Sequence, residues 1–167
     1  MTWSLPEPPP AEPVLGDPAS LSALGQALHR AAAEVGRCLD DLPPAAVGSR
    51  RHAARVRQLH TRAAPLHESM DRAGHRVTEH ASDLADAIGL ARRVVDRAEA
   101  CGLRVDGPTV SRGDGIHGLA DPGEEGAREE SRARLQRVLE AILLDLDTTR
   151  ERLRLDLAQE HTVVRRR

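Results

Sequence analysis

The 167-residue chain sets 24 basic residues, all of them arginine, against 26 acidic ones. The resulting net charge of −2 excludes a general electrostatic pull toward nucleic acid or a membrane surface. Phe and Tyr are missing and Trp3 is the one aromatic, so Ala, Leu and Val must fill any core. Such residues suit helices packed closely along their length.

Residues 1–16 are rich in proline and are expected to form a disordered or extended arm. Pro and Glu stand where a cleavable signal needs an apolar run, which predicts a cytoplasmic start. Any export would use a route that needs no cleavable signal. The longest strongly apolar run, Ala141 to Leu144, is far too short to span a bilayer.

Asp17-Pro18 is a helix start, because Asp accepts from free backbone N–H groups and Pro is preset for the first turn. Leu21, Leu24, Leu28, Ala31, Val35, Cys38 and Leu42 then follow a 3,4 spacing. A first helix is therefore predicted over 17–42, ended by Pro43-Pro44. The short connection that follows requires the next helix to run antiparallel.

That second helix, predicted over 46–101, organises the rest. Its heptad a positions are Val56, Ala63, Met70, Val77, Leu84, Ala91 and Ala98. Its d positions are Leu59, Leu66, Ala73, His80, Ala87, Val94 and Cys101. At full length it would span roughly 84 Å, a spine for other helices to dock on. Pro65 predicts a kink or a break, and the unbroken register across it favours a kinked continuous helix. Cys38 and Cys101 sit at inward positions far apart in such a hairpin, which predicts two buried free thiols.

Residues 102–125 are punctuated by glycine and predict a loop. A third helix is predicted over 126–160, with Leu135, Leu139, Ile142, Leu146, Thr149, Leu153 and Leu157 as its main stripe. Its bulk complements the Ala-rich far half of the spine. Leu144 and Leu155 lie on the opposite face at about 100° per residue and are the candidate partner interface. Residues 161–167 form a basic tail. The fold class is all-α: an elongated antiparallel helical hairpin with a long second helix and a third helix packed on it.

Candidate chemistry is sparse. His67-Glu68-Ser69-Met70-Asp71 is one residue short of the H-E-x-x-H zinc pattern, Met70 belongs to the seam, and no third ligand is evident. His75 and Glu79 read as a helix-surface pair, and His80 as a satisfied core histidine ahead of a pH-sensitive flaw in the seam. Glycines at 113, 115 and 118 follow no strand and precede no lysine, so no phosphate-binding loop is expected. Arg50, Arg51, Arg55, Arg57 and Arg62 read as a solvated face, since single-strand binding normally adds aromatic platforms. The expectation is a non-enzyme with no cofactor, no metal and no small-molecule substrate.

The Asp17-Pro18 start, the Leu-rich first helix, the tight turn and the long Ala/Leu/Arg second helix resemble the W-x-G helical-hairpin proteins of type VII (ESX) secretion in actinobacteria. GDPASLSALGQALHRAAAEV and RAEACGLRVDG are similar to the N-terminal helical regions of long ESX-associated proteins. Where that family has Trp-x-Gly in the turn, this chain has Ala46-Val47-Gly48, so Gly48 alone carries over. The family's Tyr-x-x-x-Asp/Glu export signal has no counterpart in a chain without Tyr. The resemblance therefore implies a partner or chaperone of an ESX-type helical protein, not an independently exported substrate. Two other readings stand beside it. A cytosolic coiled-coil scaffold would self-assemble, and an Arg-patch nucleic-acid binder would be retained on DNA or RNA in a salt-sensitive way. The architecture predicts a helix-dominated circular dichroism spectrum and an elongated solution-scattering profile. A strand-rich spectrum or a compact sphere would overturn it.

Overall fold

The computed structural model describes residues 11–43, 49–113 and 122–165. Its order is α1 (Pro18–Asp40), α2 (Arg50–Ala100), β1 (Leu103–Asp106), β2 (Thr109–Arg112) and α3 (Pro122–Arg165). The fold is all-α, with a long second helix packed with the first and the third, and one small hairpin inserted between helices. The chain divides into two compact units. The α1 unit comprises Asp17–Asp83 and Thr148–Arg167, and the hairpin unit comprises Met1–Gly16 and Leu84–Asp147.

In the α1 unit, Asp17 caps the first helix by accepting from the Ala19 N–H at 3.0 Å and from the Ser20 hydroxyl. The Ser20 hydroxyl bond, with the bonds from the Ser20 and Ala19 N–H groups, lowers the Asp17 pKa below the ordinary carboxylate value. Helix α1 lies antiparallel on α2, but not on the expected stripe. Leu24 is 52% exposed and Cys38 is exposed, while Gly25 and Ala32 are buried. The contact face has rotated toward the small residues, because there the two backbones can meet. A Cβ on Gly25 would press on the Thr78 hydroxyl and lie 2.8 Å from the Gly74 carbonyl oxygen. One on Gly74 would lie 2.9 Å from the Gly25 carbonyl oxygen. Cys38 is thus not the buried thiol its heptad position implied, and Cys101 is only half-buried.

Helix α2 is continuous through Pro65 and begins at Arg50, not residue 46. Residues 44–48, with the family turn match Gly48, lie outside the described residues. From Val77 to Ala98 every a and d position is buried, whereas Leu59 and Leu66 are 46% and 38% exposed.

In the hairpin unit the expectation of a loop over 102–125 is corrected: β1 pairs antiparallel with β2, Val105 opposite Val110. Alternation explains it. Leu103, Val105 and Val110 are buried, and Gly107 takes φ 53° in the two-residue connection. Gln136 of α3 fixes the hairpin, accepting from the Val110 N–H at 2.7 Å and donating to the Pro108 carbonyl at 3.0 Å. The arm, expected to be disordered or extended, is docked over residues 11–16. The Ala11 N–H donates to Asp106 at 2.8 Å, the Gly107 N–H donates to the Ala11 carbonyl, and Val14 is 4% exposed. Helix α3 starts at Pro122 and extends to Arg165, beyond both expected limits. Its Leu139, Ile142 and Leu146 are buried as the stripe required.

The glycine crossing carries a prediction of sign. Gly→Ala within a helix ordinarily stabilises by up to about 1 kcal/mol. Gly89 has nothing within 4 Å of an added Cβ, so Gly89→Ala should raise the melting temperature. Gly25→Ala and Gly74→Ala should instead destabilise by about 1–3 kcal/mol, as overpacked sites do. Denaturant titration of the three variants checks it.

Candidate functional site

Two kinds of site emerge, one apolar and one polar. In the hairpin unit an open groove of about 470 Å³ lies between Leu90 of α2 and Val138, Ala141 and Ile142 of α3. Arg134, Arg137 and Asp145 rim it. Leu90 and Val138 are 42% and 45% exposed, which is high for residues beside a packed seam. Leu144 is 69% exposed and, by helix periodicity, stands one turn beyond Ala141 on the adjoining flank. A second, smaller recess of about 270 Å³ lies under the docked arm against Ile88, Ala91 and Val95. Sequence reasoning misses it because a proline-rich arm reads as loose. Val14 after Pro13, an apolar residue that proves to be buried, is the signal it holds.

The α1 unit holds the other candidate interface residue, Leu155, at 70% exposure. Its polar features lie along the contact of α2 with the end of α3. A cleft of about 410 Å³ is lined by Arg76, Glu79 and Asp83 of α2 and by Thr149, Arg152 and Asp156 of α3. His80 closes its floor. The side chain is buried, but its Nδ1 has no hydrogen-bond partner among the described residues, so the satisfied core histidine of the sequence reading is corrected. Next to this cleft, Arg72 grips the Glu160 carboxylate through two hydrogen bonds of 2.8 and 2.9 Å, and Arg76 lies 3.4 Å from Asp156. The Arg72 guanidinium holds the Glu160 carboxyl below its ordinary pKa, and Glu160 raises that of Arg72.

The near-match to a zinc motif is dispersed by the fold. His67 Nδ1 is 2.7 Å from the Ala32 carbonyl, Asp71 pairs with His29 at 2.8 Å, and Ser69 donates to the Glu160 carbonyl. His75 and Glu79 form a 3.1 Å surface pair, as expected. No group of three ligating side chains that could hold a metal occurs among the described residues. No helix among them is long and apolar enough to cross a membrane. Arg50, Arg51, Arg55, Arg57 and Arg62 are all exposed, and none forms an ion pair among the described residues.

No protein family, curated protein or solved structure matches the chain.

The Arg72–Glu160 clamp gives a pH prediction. Folding depresses the Glu160 pKa, so its contribution is present above the unfolded value of about 4.3 and is lost as pH falls through the folded one. Glu160→Gln should cost about 1 kcal/mol near neutral pH, and the gap from the parent should close toward pH ~3. Chemical denaturation of both proteins at the two pH values measures it.

Proposed function

We propose that this chain is a non-enzymatic helical binding protein, a partner or chaperone of a larger helical protein in type VII (ESX-like) secretion. The observation that carries the binding reading is Leu144, 69% exposed beside an open apolar groove that already has Leu90 and Val138 at its surface. Burying one such leucine contributes about 1.5–3 kcal/mol, and a groove between two helices receives a third at ordinary helix-packing distance. Leu155 offers a further apolar contact in the α1 unit. The secretion context rests on the resemblance of the first two helices to the W-x-G hairpins. In a chain without Tyr, that resemblance fits a partner better than an independent substrate. A coiled-coil scaffold would use the same leucines between copies of the chain.

Co-expression with the product of the adjacent gene, followed by pull-down, tests the reading. The parent should capture that protein. Leu144→Asp with Leu155→Asp should weaken capture while changing stability by less than about 0.5 kcal/mol, because both side chains are already in water. Leu139→Asp with Leu146→Asp should unfold α3, since each buries an unpaired charge at a site no more than 2% exposed. A parent that captures nothing and remains a stable monomer sinks the reading. Self-assembly through the same leucines replaces it with the scaffold.

A further inference from the structure

We infer that the first turns of α2 carry a second docking surface, built for an acidic amphipathic helix of another protein and separate from the groove beside Leu144. At about 100° per residue, Arg51, Arg55, Leu59, Arg62 and Leu66 fall within an arc of about 80° on one face of α2. All five are exposed, with Leu59 at 46% and Leu66 at 38%. Their spacing of 4, 4, 3 and 4 is that of a helix-packing stripe, with arginines at three positions and leucines at two.

The fold itself displays how this face is used. The same face continues through Ser69, Ala73 and Arg76, and there the end of α3 covers it. Ser69, 5% exposed, donates to the Glu160 carbonyl, while Arg72 and Arg76 receive the carboxylates of Glu160 and Asp156. A helix that lays leucines along the seam and carboxylates over the flanking arginines is thus the occupant on the adjoining turns. Over residues 51–66 the arginines lack carboxylate partners among the described residues, and the leucines meet solvent. The other side of α2 is not bare: Val56 is 5% exposed and His67 bonds to Ala32 of α1.

Charge selects the occupant. From Arg50 to His67 the sequence holds no acidic residue, and the first turn of α2 adds the positive end of the helix dipole with no acid to offset it. The chain's own Arg165, Arg166 and Arg167 have the same sign and do not supply the complementary charge. Nucleic acid is the poorer match. Leu59 and Leu66 lie within the stripe and offer nothing to a phosphate backbone, and no aromatic residue stands among them to stack on a base.

The probe is a synthetic amphipathic helix with leucines in a 3,4 pattern flanked by glutamates, followed by fluorescence anisotropy against the full-length protein. Its counterpart with lysine for glutamate, a DNA duplex and an RNA duplex are the comparisons. The glutamate peptide should bind, and raising salt should weaken it. Arg51→Glu, Arg55→Glu and Arg62→Glu together should reduce affinity at least ~10-fold. The neutralising Arg→Gln triple should show an intermediate loss. Leu59→Ser with Leu66→Ser should also reduce affinity, with helicity retained in every variant because all five side chains are exposed. Leu144→Asp should leave peptide binding unchanged, so failure here and failure of the ESX-partner reading are separable. Equal binding of the lysine peptide, tighter binding of either duplex, full affinity in the arginine variants, or self-association abolished by the arginine changes would each overturn the inference.

Discussion

A core without aromatic rings constrains everything else in this protein. Ala, Val and Leu side chains are short, so apolar surface leaves water only where helix backbones come close. Helix α2 meets the requirement along its far half, where Ala87, Ala91 and Ala98 alternate with Leu84 and Val94, all buried. Toward its near half it meets α1 through Gly25 against Gly74. There the carbonyl of each glycine occupies the space a methyl group would need. Large apolar side chains on α1 are consequently displaced from the contact, and Leu24 is left half in water.

That displacement explains which parts of the fold were legible in the sequence. The short connection gave the antiparallel pairing of the first two helices, while the 3,4 repeats identified all three helices and the buried stripe of α3. They misplaced the α1 seam because periodicity ranks positions by hydrophobicity, whereas this contact selects for smallness. Gly25, Ala32 and Gly36 are themselves spaced 7 and 4, a pattern as regular as the leucines beside them. Cys38 followed the leucines in the heptad and so was assigned to an interior it does not enter. The hairpin was missed for a related reason. Seven glycines over 102–126 dominated the reading, although Leu103, Val105 and Val110 alternate on either side of Gly107-Pro108, a two-residue connection that opens with glycine. The docked arm is held by hydrogen bonds between Ala11 and the Asp106-Gly107 turn, 95 residues away, and its one local signal is the apolar Val14.

The candidate sites divide along the same line. Leu144 and Leu155 were legible because a stripe defines its own outside, and both are indeed the most exposed leucines of α3. His80 was legible as a seam residue, but not as one whose Nδ1 finds no hydrogen-bond partner among the described residues. The cleft above it holds five charged side chains, Arg76, Glu79, Asp83, Arg152 and Asp156, so the ring sits at the boundary between seam and solvent.

Those charged side chains also address a problem that the apolar seam cannot solve by itself. A seam of similar small residues repeating every 3 and 4 places is nearly unchanged by a slip of seven residues, so burial distinguishes one helix register from the next only weakly. Specific polar pairs distinguish them well. In the α1 unit, His29 with Asp71 ties α1 to α2, and Arg72 with Glu160 and Arg76 with Asp156 tie α2 to α3. As partly exposed pairs each adds little to stability. A slip of α3 by one heptad, however, would offer Arg72 either Leu153 or Arg167 in place of Glu160. The same slip of α1 would offer Asp71 either Ser22 or Gly36 in place of His29. The small contributions in the correct register are therefore lost together in a shifted one, and the sum favours one register over the others. The same logic gives the bare arginines of α2 their significance: in this fold an arginine beside a helix seam is where a carboxylate of the next helix belongs.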